Sequence, residues 1–256
     1  MQENSALGRA MAMVRDLRER CSWDRVQTRE TLRPYLIEEV HELDQAVAAA
    51  DPEAIRHEVA DLLLHLAWQL VLAEEEGQFT ADDAATDLEA KMKRRHPHLF
   101  ELGPAEEWER LKARERRLAQ RSRKGVLGGL PPNLPELLMA WRLQERAAGV
   151  GFDWPDARGP ADKVREELSE VEAETAAGSR PDAGRIEHEI GDLLFSVVNL
   201  ARKVGVQPGP ALERANARFR ERFAVVEELA GQRGVDLEAA GLEQLDALWE
   251  EAKRIG

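Results

Sequence analysis

Two stretches of the chain repeat one acidic pattern, and this repeat restricts the fold more than any other feature. Glu38-Glu39-Val40-His41-Glu42 is followed by Glu58-Val59-Ala60-Asp61, and Glu166-Glu167-Leu168-Ser169-Glu170 by Glu189-Ile190-Gly191-Asp192. Each copy reads EExxE, a gap, then ExxD running into an apolar stretch. Matching residues are offset by 128 to 131 positions, and the lead-in repeats as well, Met13 to Arg20 resembling Ala140 to Arg146. A period of this kind predicts two copies of one helical unit.

Periodicity within each copy is helical. Strand signals are nearly absent, with a single tyrosine and no alternating β-branched runs. Residues 32–50 form one expected helix, with Leu36, Val40, Leu43 and Val47 on one face. Asp51-Pro52-Glu53 then stops and restarts the chain, with Asp as N-cap and Pro at the first helical position. The next helix, 53–76, is apolar almost all round and is expected to be central and buried. Asp192 to Leu200 takes the same part in the second copy, restarted by Arg180-Pro181-Asp182. The expected class is therefore all-α, two tandem helical bundles. Residues 106–124 are dense in Arg, Lys and Glu and read as an exposed helix. Gly125 to Pro132 reads as a breaker. The expected division is 1–104, a connector at 105–132, and 133–256.

Residues three or four apart share a helix face, and a short connection lays each EExxE helix beside its ExxD helix. Each copy can thus bring four carboxylates to one point: Glu39, Glu42, Glu58 and Asp61, or Glu167, Glu170, Glu189 and Asp192. Carboxylates so placed repel one another unless a cation lies between them, and hard divalent ions take oxygen ligands of this kind. The chemistry indicated is metal-assisted reaction at a phosphate. Arg218 and Arg222, with Asn216, lie downstream on one helix side, where forked donors suit phosphate oxygens.

Several classes are excluded. A net charge of −13 argues against general nucleic-acid binding. No apolar run approaches a membrane span, and the N-terminus lacks a signal-peptide layout. One cysteine, Cys21, allows no internal disulfide, which fits the cytoplasm. His57-Glu58 and His188-Glu189 begin a zinc-protease pattern but carry Asp61 and Asp192 where its second histidine belongs. A di-iron bundle needs two Glu-x-x-His motifs, and Ser169 removes the second. No phosphate loop of the GxxxxGK[ST] type occurs.

Over nearly its whole length the chain resembles the MazG nucleoside triphosphate pyrophosphohydrolases in their two-copy form. The first copy carries Cys21-Ser22-Trp23-Asp24, both acidic motifs, Glu74 to Gly77 and Arg94 to His98. The second carries Val150 to Trp154, both acidic motifs and Asn216 to Phe223. The resemblance implies an all-α fold, a homodimer, and Mg²⁺-dependent cleavage between the α and β phosphates, with Mn²⁺ as a substitute. NTPs and dNTPs would become NMPs and pyrophosphate in a house-cleaning role. It implies that Glu167, Glu170, Glu189 and Asp192 hold Mg²⁺, with Glu39, Glu42, Glu58 and Asp61 as a second set. Glu166 or a ligand glutamate would orient the water. Lys163, Arg218 and Arg222 would contact phosphates, supported by Asn216. Trp249 and Lys253 fall where the family closes its nucleotide site, Trp249 either stacking on a base or packing.

The second copy is the expected catalytic one. It has Lys163 where the first has Tyr35, and Asn216 where the first has Glu89, a charge opposed to phosphate. The first copy is expected to serve assembly, its complete quartet leaving metal binding and weak activity open. Two alternatives remain at this stage: a non-catalytic helical module that binds nucleotides or a protein, and a narrower pyrophosphatase acting on dUTP or a phosphoribosyl-linked intermediate.

Overall fold

The computed structural model describes residues 5–100, 125–176 and 182–255. The chain divides into two compact units, Met1–Ala105 and Glu106–Gly256. The described residues form helices and no strand, as the sequence leads one to expect. The charged stretch at 106–124 lies outside them.

In unit 1, α1 (Ala6–Arg20) starts at Ser5, whose hydroxyl accepts from the Gly8 amide. A single turn, α2 (Ser22–Arg25), leads to α3 (Arg29–Ala49). There Thr28 and Thr31 cap each other's backbone amides, satisfying donors that would otherwise be orphaned. Ala50 ends α3 in the left-handed region at φ 53°. Asp51 then caps α4 (Pro52–Glu75) by accepting from the amides of Glu53 and Ala54. The stop-and-restart signal at Asp51-Pro52 therefore works as read. α5 (Ala81–Arg95) follows, started by a Thr80/Asp83 box.

Unit 2 repeats the order. α6 (Glu136–Ala148) matches α1, α7 (Arg158–Ala176) matches α3, and α8 (Ala183–Lys203) matches α4. Asp182 caps α8 through the Gly184 amide; Arg180 and Pro181 lie outside the described residues. α4 packs on α1 and α3, and α8 packs on α6 and α7. α9 (Pro208–Arg233) and α10 (Leu242–Ile255) complete the unit.

The cores are small. Unit 1 buries Met11, Val14, Leu32, Ala67, Trp68, Val71 and Leu72 between α1, α3 and α4. Unit 2 buries Val226, Leu229, Ala230, Leu248 and Ala252 between α9 and α10. Trp68 is 2% exposed, and the Arg18 guanidinium lies 5.3 Å from the ring centroid. Trp68→Ala is expected to destabilise the protein by about 3–5 kcal/mol, read as a lower urea midpoint with the helical signal intact in buffer.

One expectation needs correction. α4 and α8 are central in contacts but are not buried all round. Val59 and Leu66 on α4, and Ile190, Leu194 and Val197 on α8, are exposed. Val40 and Val47 of the expected α3 face are also half exposed. Hydrophobicity marks a surface that leaves water, not which neighbour covers it, and a single copy supplies too few helices to cover these.

Candidate active site

In unit 2 the carboxylates converge because their spacing and the α7–α8 packing leave them no other common side. Glu167, Glu170 and Glu189 each offer an oxygen, and these oxygens lie within 4.8 Å of one another. Glu167 is buried at 4% exposure, unusual for a carboxylate, and Lys163 one turn earlier supplies the balancing charge. Lys163 Nζ lies 2.6 Å from Glu167 Oε1 and 2.9 Å from Glu166 Oε1. The Lys163 bond holds the Glu167 carboxyl below the usual carboxylate range in spite of its burial. Glu170, sharing a hydrogen bond with Glu167, is pushed above that range. The lysine is raised in turn, mainly by Glu167 and then by Glu166.

Asp192 does not join this group. Its Oδ2 lies 3.4 Å from His188 Nε2, one turn back on α8. The zinc-protease comparison assigns His188 no part in this group. The recurrence of His four residues before the ExxD aspartate, as His57 and His188, was the available signal for this pair.

Unit 1 repeats the arrangement with one difference. Glu39, Glu58 and Asp61 bring oxygens within 4.8 Å, while Glu42 stays outside the group. Among the described residues no cation pairs with these three. Tyr35, in the place of Lys163, instead meets the edge of Trp23 at 6.3 Å. Burial, then the charges of Asp61, Glu42 and Glu58, push the Glu39 carboxyl up.

The remaining candidates lie on α9 and α10. Asn216, Arg218 and Arg222 have no hydrogen bond or ion pair among the described residues, so two guanidinium groups stay available. Lys253 pairs with Glu250. Trp249 packs 5.2 Å from Phe219 and against the α9–α10 core. The packing alternative weighed for Trp249 thus describes its place in the structure.

All donors in both groups are carboxylate oxygens, the set a hard dication takes. The raised groups give the site a pH dependence. A carboxyl titrating above its ordinary range keeps its proton to higher pH, and that proton must leave before the oxygen can ligate. Mn²⁺ affinity is therefore expected to fall as pH drops from about 7 to about 5, with proton release on binding. Calorimetry in two buffers of different ionisation enthalpy reads both effects.

A family model described as the MazG nucleotide pyrophosphohydrolase domain matches residues 27–100. The chain is also 42% identical over 238 residues to the nucleoside triphosphate pyrophosphohydrolase/pyrophosphatase MazG of Thermotoga maritima, spanning 92% of this chain and 90% of that protein. The chain belongs to the MazG family. It is 39% identical over 251 residues to the nucleoside triphosphate pyrophosphohydrolase of Escherichia coli K12, covering 95% of this chain and 94% of that one. It is 38% identical over 251 residues to an uncharacterised Bacillus subtilis protein, of which it covers 50%. Membership makes the chain a hydrolase acting on phosphoric anhydrides. The residues matched by the MazG model lie in unit 1, and the matched stretch spans Glu39, Glu58 and Asp61.

Proposed function

We propose that this MazG protein cleaves NTPs and dNTPs between the α and β phosphates, giving NMP and pyrophosphate, with Mg²⁺ held by unit 2. The supporting observation is the Glu167–Glu170–Glu189 group, one member of it buried, in a chain of this family. Asp192 completes the ligand set on leaving His188. Mg²⁺ there would neutralise the phosphates and lower the pKa of bound water. Mn²⁺, with similar oxygen preference, would substitute.

The protein's own residues supply positioning, which dominates phosphoryl chemistry. Lys163 neutralises Glu167 in the resting site and is placed to turn to a phosphate oxygen once a dication takes over that carboxylate. Arg218 and Arg222 offer bidentate donors to the outgoing pyrophosphate, supported by Asn216. Glu166, half exposed beside Lys163, or a ligand glutamate orients the attacking water. Unit 1, with Tyr35 in the place of Lys163 and with Glu89 held by Lys93, serves assembly. The working form is a homodimer, supported by the exposed stripe Ile190, Leu194 and Val197 at i, i+4 and i+7. The single cysteine supports a cytoplasmic, house-cleaning role.

The test is pyrophosphate release from a panel of NTPs and dNTPs with Mg²⁺, with and without EDTA. The expected products are NMP and pyrophosphate from several bases, abolished by EDTA. NDP with inorganic phosphate, or release unaffected by EDTA, would refute the proposal.

A further inference from the structure

Helices alone do not wall the space beside the unit 2 acidic group. A cavity of about 590 Å³, within the range of small-molecule sites, is lined by Leu143 and Ala147 of α6, by Phe195 of α8, and by Leu127 from the segment that precedes α6. Phe195 lies three residues past Asp192, so the cavity begins about one turn along α8 from the acidic group.

Leu127 belongs to a strap, 125–129, with a glycine at each end. Gly125 and Gly129 have φ of 63° and 79°, a region that residues with a Cβ adopt only at a cost. Within the strap the Gly128 amide donates to the Gly125 carbonyl at 3.3 Å. Among the described residues, its only hydrogen bonds to a helix come from Arg146, in the last turn of α6. Arg146 Nη1 donates to the Leu127 carbonyl at 3.2 Å and also to the Gly128 carbonyl. Val126 and Leu127 are 40% and 49% exposed, so packing holds the strap weakly. Bonds from a charged donor, the stronger kind, fix it where its leucine meets the cavity.

The matching arginine of unit 1 is used differently. The repeated lead-in places Arg20 at Arg146 and Asp16 at Arg142. Arg20 pairs with Asp16 one turn back, at 3.0 Å. Unit 2 has a like charge in that place, and there Arg146 reaches the strap instead.

We propose that the strap is a movable wall of the unit 2 cavity, latched by Arg146, which opens to admit a nucleotide and closes on it through Leu127. Arg146 is a positioning residue, acting on the substrate only through Leu127. This rests on the nucleotide-hydrolase reading above.

Two measurements on the full-length protein test it. Hydrogen exchange over residues 125–130, followed by mass spectrometry without nucleotide, reads the latch. Initial rates with ATP and Mg²⁺ read its effect on turnover. Arg146→Ala is expected to speed strap exchange about tenfold through the lost bonds to a charged donor, with exchange in α7 and α8 unchanged. KM for ATP should rise about fivefold and kcat stay within about twofold, as when binding common to ground and transition state is lost. Arg146→Lys keeps a cationic donor and should recover part of both. Gly129→Ala, where nothing lies within 4 Å of the added Cβ, strains only the hinge and should also speed exchange and raise KM; it decides if Arg146→Ala does not fold. Strap exchange unchanged in these variants, or faster exchange with KM unchanged, overturns the movable wall. So does a loss confined to kcat, because Arg146 then acts on the reaction and not on entry. If the unaltered protein releases pyrophosphate from no nucleotide, the reaction reading fails, and strap exchange alone decides the latch.

Discussion

Glu167→Ala is expected to remove at least two orders of magnitude of pyrophosphate release, and Glu39→Ala to leave most of it. Glu167 is the buried member of the unit 2 group and the partner of Lys163. Its loss removes one carboxylate of the proposed metal site and leaves Lys163 on Glu166 alone. Loss of one preorganised electrostatic group typically costs about 10²–10³ in kcat. Asp192→Ala is expected to match it, because in the proposed site the same ion takes that oxygen. Glu39 belongs to the unit with Tyr35 in the lysine position. Initial rates with saturating Mg²⁺ and NTP separate the cases. Equal losses from both units would defeat the assignment of catalysis to unit 2. Circular dichroism of Glu167→Ala should remain helical, because the change relieves repulsion among carboxylates.

Leu194→Glu should convert the proposed dimer to monomer. Leu194 is 54% exposed and lies between Ile190 and Val197 on one stripe of α8, with Leu168 of α7 also exposed. Burying such a side chain is worth about 1.5–3 kcal/mol, and an unpaired charge in an apolar interface costs several more. Sedimentation or light scattering at micromolar concentration would report the change. An unaltered assembly would show that α8 faces water in the working form. Glu58 on α4 lies beside Val59, and Glu189 on α8 beside Ile190, so the acidic groups and the apolar stripes are adjacent faces of the same helices. Activity is therefore expected to fall with the dimer.

Much of this arrangement is legible in the sequence, for local reasons. Asp51 before Pro52, and Asp182 before α8, are caps whose chemistry acts within four residues. The EExxE and ExxD spacings fix which side of a helix each carboxylate takes, so Glu167, Glu170 and Glu189 meet as read. The fourth carboxylate of each group does not follow from spacing, because its rotamer depends on neighbours: His188 holds Asp192, and Glu42 stays outside. Lys163 was read as a phosphate ligand, and its resting contact with Glu167 depends on how deep that glutamate sits. The exposure of α4 and α8 is not legible for the same kind of reason: a hydropathy pattern does not say what covers an apolar side chain.

The Lys163–Glu167 contact has a further consequence. The protein carries its own counter-ion, covalently tethered one turn from the carboxylate it neutralises. An external dication must compete with a charge that is always present at high local concentration. Occupancy of unit 2 is therefore a titration against the lysine, and it weakens the apparent affinity without altering the ligands. Unit 1, with no such competitor, should fill first when the ion is scarce, so that the half proposed to serve assembly is loaded before the half proposed to turn over.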